Sequence, residues 1–284
     1  MKKSILSLFV GSLLLAACSK EEKPMSANPS QTGGHFNMVL KDMPQVTLDE
    51  NGAGEWHNYY MGLIYDQLSA DVAEEGFGNM DETELDNSIR TILNENIGGD
   101  DATYHRNNAI AVSDYFDDND GCITNLSDLR TAIAGTSLSQ TFRTGFNTFM
   151  NNALNVTSTS GATTLANGFK TWCNSNLSSP EKEIGKGTAD VFEASFAYWN
   201  DNIDDWNDLL TNGQGGDNSN AAKASIAGAD AAGFCYGAHV GYTGGTVTLP
   251  GVGTFAGWLG GGLAGGFLGS SYAIVSNVWD YFFG

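Results

Sequence analysis

From Ala231 to Trp279 the chain runs without a single Asp, Glu, Lys or Arg, and glycine recurs at every fourth position through most of that stretch. A spacing of four is close to one helical turn, so each run of glycines lies along one stripe of a helix. Glycine opposes helix formation by about 1 kcal/mol relative to alanine, so nine such residues cost on the order of 9 kcal/mol. A bare stripe offsets this when two backbones approach closely, gaining dispersion contacts and weak CαH-to-carbonyl bonds, as small-residue stripes do in membranes. The pattern predicts a helical hairpin, with Gly233, Gly237, Gly241 and Gly245 on one arm and Gly253, Gly257, Gly261, Gly265 and Gly269 on the other. "TVTLPGVG", with Pro250, reads as the turn between them.

Two environments suit such a hairpin. Residues 251–279 as one helix would be about 43 Å long at 1.5 Å per residue, more than the roughly 30 Å of a hydrocarbon core. Trp258, Tyr272 and Trp279 suit interfacial positions. The alternative is a hairpin buried against the rest of its own chain. Moderate hydropathy fits an exported protein that inserts later, and equally one that never inserts.

Lys2 and Lys3, the apolar run Ile5–Leu15, and Ala16 and Ala17 before Cys18 have the three parts of a secretory signal peptide. "LAAC" also matches the lipobox of bacterial lipoproteins, which makes Cys18 the expected lipidated N-terminus; two or more acyl chains give a durable anchor. Ser19 after Cys18 favours the outer membrane, and "SKEEKP" resembles acidic surface-export signals. Without Lys2 and Lys3 the chain keeps 11 basic against 33 acidic residues, a balance that repels nucleic acid and anionic headgroups. A nucleic-acid partner is therefore not expected. Of the other cysteines, Cys122, Cys173 and Cys235, the simplest arrangement in an oxidising compartment is one disulfide, Cys122 to Cys173, with Cys235 buried and free.

The body of the chain is patterned for helices. Tyr60, Leu63, Ile64 and Leu68 share a face; Leu85, Ile89, Ile92 and Leu93 form a second segment, and Ile110, Val112, Tyr115 and Phe116 a third. Phe142, Phe146 and Phe149 stripe a helix over 138–154, and Leu165, Phe169 and Trp172 one over 163–177. Pro180 suits the first turn of the best-patterned helix, where Phe192, Phe196, Trp199, Ile203, Trp206 and Leu210 alternate spacings of four and three. "TNGQGGDNSN" reads as a linker.

Catalytic and metal-binding patterns are sparse. His35, His57, His105 and His239 lie far apart, with no HExxH, no cysteines at metal spacing, no GxSxG elbow and no phosphate loop. "GVGTFA" loosely matches a dinucleotide fingerprint, but no acidic residue follows about 20 positions on, and the ladder accounts for its glycines. "DYFDDNDGC" fails calcium-loop spacing and reads as a solvated acidic turn. His57 and Asn58 beside Trp56 form either a polar site or a capped helix start with a half-buried histidine.

The lipobox with its acidic tether, "EWHNYYMGLIYDQL" with its His57–Asn58 pair, and a glycine ladder introduced by "AGADAAGF" together resemble Bacteroidota surface lipoproteins with an HN motif and a C-terminal glycine zipper. Bacteriocin-like toxins of this type are clipped by an arginine-specific protease before they attack neighbouring membranes. The resemblance implies antibacterial activity, and processing of this kind would cut after Arg106 in the polar "YHRNNA".

The sequence thus predicts a mainly α chain: a signal peptide over 1–17, a lipidated N-terminus and flexible tether over 18–55, a helical domain over 56–211, a linker over 212–220 and a glycine-zipper helical hairpin over 221–284. The expected function is that of a non-enzymatic, cofactor-free lipoprotein of the outer membrane or cell surface. It would act by membrane interaction or self-association, with a structural or binding lipoprotein as the alternative.

Overall fold

The computed structural model describes residues 44–75, 126–211, 213, 215–242, 246–249, 253–263, 265, 266 and 269. Cys18, Arg106, Cys122, Gly245 and the helices expected around 85–93 and 110–116 lie outside them.

The fold is mainly α. Among the described residues, six helices, α1 (Ala53–Glu75), α2 (Leu126–Gly135), α3 (Gln140–Ala153), α4 (Thr159–Asn176), α5 (Glu181–Thr211) and α6 (Asn220–Tyr242), precede a two-stranded ribbon, β1 (Thr246–Leu249) and β2 (Gly253–Ala256). A last helix follows, with described helical residues 257–263, 265, 266 and 269.

Local chemistry sets the boundaries. Ser139 caps α3 by accepting from the Phe142 amide, Ser158 caps α4 by accepting from Gly161, and Ser219 accepts from Ala222 at the start of α6. α1 starts at Ala53, after a turn in which Asp49 Oδ1 accepts from the amides of Asn51 and Gly52. The end of the expected tether is already packed: Leu48 is buried, and Trp56 Nε1 donates to the Val46 carbonyl at 3.2 Å. The short α2 has no counterpart among the expected helices.

α5 is the central rod. Its stripe of Phe192, Phe196, Trp199, Ile203 and Trp206 is buried as the periodicity predicts, while Leu210 is only partly covered. Phe149 of α3 stacks on Phe169 of α4 at 4.4 Å and meets Phe192 of α5 edge-on at 5.4 Å. On another side Gly54 of α1 crosses α5 so closely that a Cβ there would lie 2.5 Å from Ala194 Cβ and from the Asp190 carbonyl oxygen.

α6 packs against α5, α2 and α3, and every residue from Ile226 to Ala238 is buried. A helix apolar on all sides needs cover all round, and the last helix completes it. One core cluster runs from Leu48 to Leu263. Among the described residues of the expected linker, Gly213 and Gly215 take positive φ, and the Gly213 amide donates to the Asp208 carbonyl.

The link between the hairpin arms differs from the expected turn. Thr246–Leu249 and Gly253–Ala256 pair antiparallel, Thr246 opposite Ala256 and Leu249 opposite Gly253. β-branched Thr246, Val247 and Thr248 favour this extended pairing. Gly253 therefore belongs to a strand and not to the helical ladder.

Candidate functional site

The two glycine stripes meet each other within this chain. A Cβ added at Gly233 would strike the Gly265 carbonyl oxygen, one at Gly237 that of Gly261, and one at Gly241 that of Gly257. Gly269 continues the series against Ala229, its Cβ position 2.5 Å from the Ala229 carbonyl oxygen. All these approaches fall below 3.0 Å, which real Cβ atoms essentially never show. The arms are thus antiparallel, backbone against backbone, as the fourfold spacing predicts.

A second set of glycines on the last helix receives side chains. The Phe234 ring of α6 lies between Gly262 of that helix and Gly187 of α5, and meets Trp258 edge-on at 6.4 Å. Gly266 faces His57 of α1, whose Cδ2 would be 3.1 Å from an added Cβ. A side chain at 266 would displace the imidazole.

His57 leads to a buried polar cluster beside the hairpin. Asp230, on the buried face of α6, accepts at Oδ2 from the Ser195 hydroxyl and from Trp199 Nε1 at 3.1 Å, and lies 3.6 Å from His57 Nε2. His57, Ser195, Trp199 and Asp230 are all fully buried. The expectation of a half-buried histidine is corrected: the ring sits in the protein's centre because Gly266 leaves room for it.

The hydrogen positions follow from the network. Asn58 Nδ2 donates to the Ala194 carbonyl at 2.9 Å, which turns Asn58 Oδ1 toward His57 Nδ1 at 3.2 Å. Nδ1 therefore carries a proton, and Nε2 faces the carboxylate. With Nε2 3.6 Å from Asp230 Oδ2, the imidazole closes the polar cluster around the carboxylate. Ser, His and Asp occur here in a different order from a hydrolytic triad, because the serine hydroxyl donates to the aspartate and not to the histidine. Closed to solvent, the cluster joins helices rather than presenting a nucleophile.

Polar contacts also tie α1 to α5 at its start. The Gly54 amide, in the first turn of α1, donates to Asp190 Oδ2 at 2.9 Å, and Lys170 Nζ donates to Asp190 Oδ1 at 2.6 Å. Lys186 holds Glu50 at 2.8 Å. Burial tends to raise the Glu50 pKa, but the Lys186 bond and neighbouring charge outweigh it and lower it overall.

Of the expected Cys122–Cys173 pair only Cys173 lies among the described residues, where it is a free, buried thiol in α4, turned into the core against Gly185 of α5, where a missing Cβ admits its sulfur. Cys235 is also a free, buried thiol, as expected. Burial pushes the Cys173 pKa up to about 12 and that of Cys235 higher still, which suppresses the reactive thiolate. Iodoacetamide labelling followed by peptide mapping should leave both unmodified in the native protein and modify both in guanidinium. Native labelling of Cys173 would contradict the α4–α5 packing.

At the end of α6, burial lowers the pKa of His239 from 6.5, with Glu181 opposing the shift. The folded protein then binds fewer protons at this site than the unfolded chain, so the stabilisation is complete above pH 6.5 and is lost as pH falls through the lower, folded value. The melting temperature should fall more between pH 7 and pH 5 in the native sequence than in His239→Gln; equal falls would refute the assignment.

Among the described residues, no group of three or more His, Cys, Asp or Glu is placed to hold a metal, and no helix is long and apolar enough to cross a membrane. No family model, curated protein or solved structure matches this chain. An open groove of about 570 Å³ between α2, α3 and α6 is lined by Leu126, Arg130, Asn147, Leu154 and Ser225, with Arg130 held by Asn147 and Asn151.

The ladder was visible in the sequence, and so was the His57–Asn58 pair. Asp230 was not singled out, although one signal marked it: it is the sole Asp, Glu, Lys or Arg between Ala224 and Tyr242. Trp199 belongs to the apolar stripe of α5, and Ser195 carries no sequence signal of its own.

Proposed function

We propose that this chain is a lipid-anchored protein of the outer membrane or cell surface that acts on membranes through its glycine-zipper hairpin, as an antibacterial toxin of the bacteriocin-like kind. The described fold is its packed form. The observation that supports this reading is α6: its thirteen consecutive buried residues, 226–238, make it the most continuously buried of the described helices α1–α6, and the other helices cover it. A hairpin held together by backbone contact rather than by strong hydropathy can pass through an export pathway and still associate in lipid, where small-residue stripes pack well. The signal peptide, the lipobox at Cys18 and the uncharged stretch from Ala231 to Trp279 agree with that route.

A structural or binding lipoprotein is the second reading. It is favoured by the ladder glycines and Asp230, which already meet partners inside the chain. Dye-loaded liposomes separate the two. Purified mature protein treated with an arginine-specific protease should release the dye, and absence of release with both cut and uncut protein would leave the structural reading.

A further inference from the structure

The Asp230 cluster draws on four helices. α1 contributes His57 and Asn58, α5 contributes Ser195, Trp199 and the Ala194 carbonyl, α6 contributes Asp230, and the last helix contributes the space at Gly266. We infer that α1 is a strap over the hairpin and that the His57–Asp230 contact is the latch that keeps the glycine arms packed against α5. This deepens the membrane reading and rests on it.

The argument is one of directionality. From Ile226 to Ala238 the side chains of α6 other than Asp230 are apolar, small or weakly polar, and apolar packing alone tolerates small slides of one helix over another. A buried carboxylate does not: any movement of α6 carries Asp230 away from its donors and leaves a desolvated group without partners. Ser195 and Trp199 belong to the central rod, so they remain wherever α5 remains. His57 is the polar neighbour that a separate helix brings, 3.6 Å from Asp230, and Asn58 orients it while bonding to the Ala194 carbonyl. The imidazole also fills the gap beside Gly266, so withdrawing α1 removes a polar partner from α6 and a packing partner from the last helix together. The Phe149–Phe169–Phe192 packing joins α3 and α4 to α5 and includes no residue of this cluster.

The test uses the full mature chain. His57→Phe keeps a ring beside Gly266 but removes the polar contact, and Asn58→Ala keeps the imidazole but removes its orienting bond. Hydrogen exchange read by mass spectrometry should show the amides of α6 exchanging roughly tenfold faster or more in His57→Phe, with a smaller increase in Asn58→Ala, while α3 and α4 keep their protection. A purely structural role would instead lower protection everywhere together. Unchanged α6 protection, or a uniform loss in both variants, overturns the latch. The same variants are added to dye-loaded liposomes without protease, where release above the native level is expected. Selective loosening without release by any form keeps the latch and removes the membrane reading. Release by the cut native protein without selective loosening in the variants does the reverse.

Discussion

Gly237→Ala should destabilise the protein by about 3 kcal/mol or more, although alanine is the better helix former. The added Cβ would overlap the Gly261 carbonyl oxygen and lie 2.8 Å from its carbon and 3.2 Å from the Gly265 Cα. Neither obstacle is a side chain that can rotate away, so the two helices must separate along their length. Separation also loosens Gly233 against Gly265 and Gly241 against Gly257, because all three pairs lie on one stripe. Gly261→Leu, on the opposite arm, should prevent folding altogether. Gly168→Ala is the internal control: it is the same substitution on exposed α4 with nothing within 4 Å of the new methyl, and it should stabilise by about 0.5–1 kcal/mol. Urea denaturation of the variants reads both signs, and a Gly237→Ala protein as stable as the native one would show that the arms do not pack through this stripe.

Asp230→Ala should cost about 3–5 kcal/mol, because at least two buried donors lose their acceptor at about 1–3 kcal/mol each. The truncation leaves the Ser195 hydroxyl and Trp199 Nε1 without their acceptor, and His57 Nε2 without the carboxylate opposite it, all in a region closed to water. Asp204→Ala on the exposed face of α5 removes a carboxylate too, but one bonded only to Asn218 at the surface, and it should change stability by no more than about 0.5 kcal/mol. Thermal or urea unfolding of the two variants side by side checks the contrast. Similar losses would mean that net charge matters more than the buried network.

The parts of the fold that were legible in the sequence are those written in neighbouring residues. The Phe142–Phe146–Phe149 stripe and the long row on α5 were read correctly because burial on one face of a helix forces spacings of three and four. The short α2 has the same spacing in Leu126, Leu129 and Ile133, but ten residues give too few turns for the period to stand out among Ser and Thr. Gly253 was placed on a helix because it keeps the ladder's count of four, and the extended preference of Thr246, Val247 and Thr248 decided otherwise.

The site divides in the same way. The bare stripes, their fourfold spacing and the absence of charge from Ala231 to Trp279 determined that two helices would pair closely, because no other arrangement compensates so much helical glycine. Only the tertiary structure decided that Gly233, Gly237 and Gly241 meet Gly265, Gly261 and Gly257, that Cys173 packs on Gly185 as a free thiol, and that His57 lies against Asp230 beside Gly266. Periodicity is local and survives in the order of residues. The match between a buried charge, its donors and the space that holds them exists only after distant helices have come together.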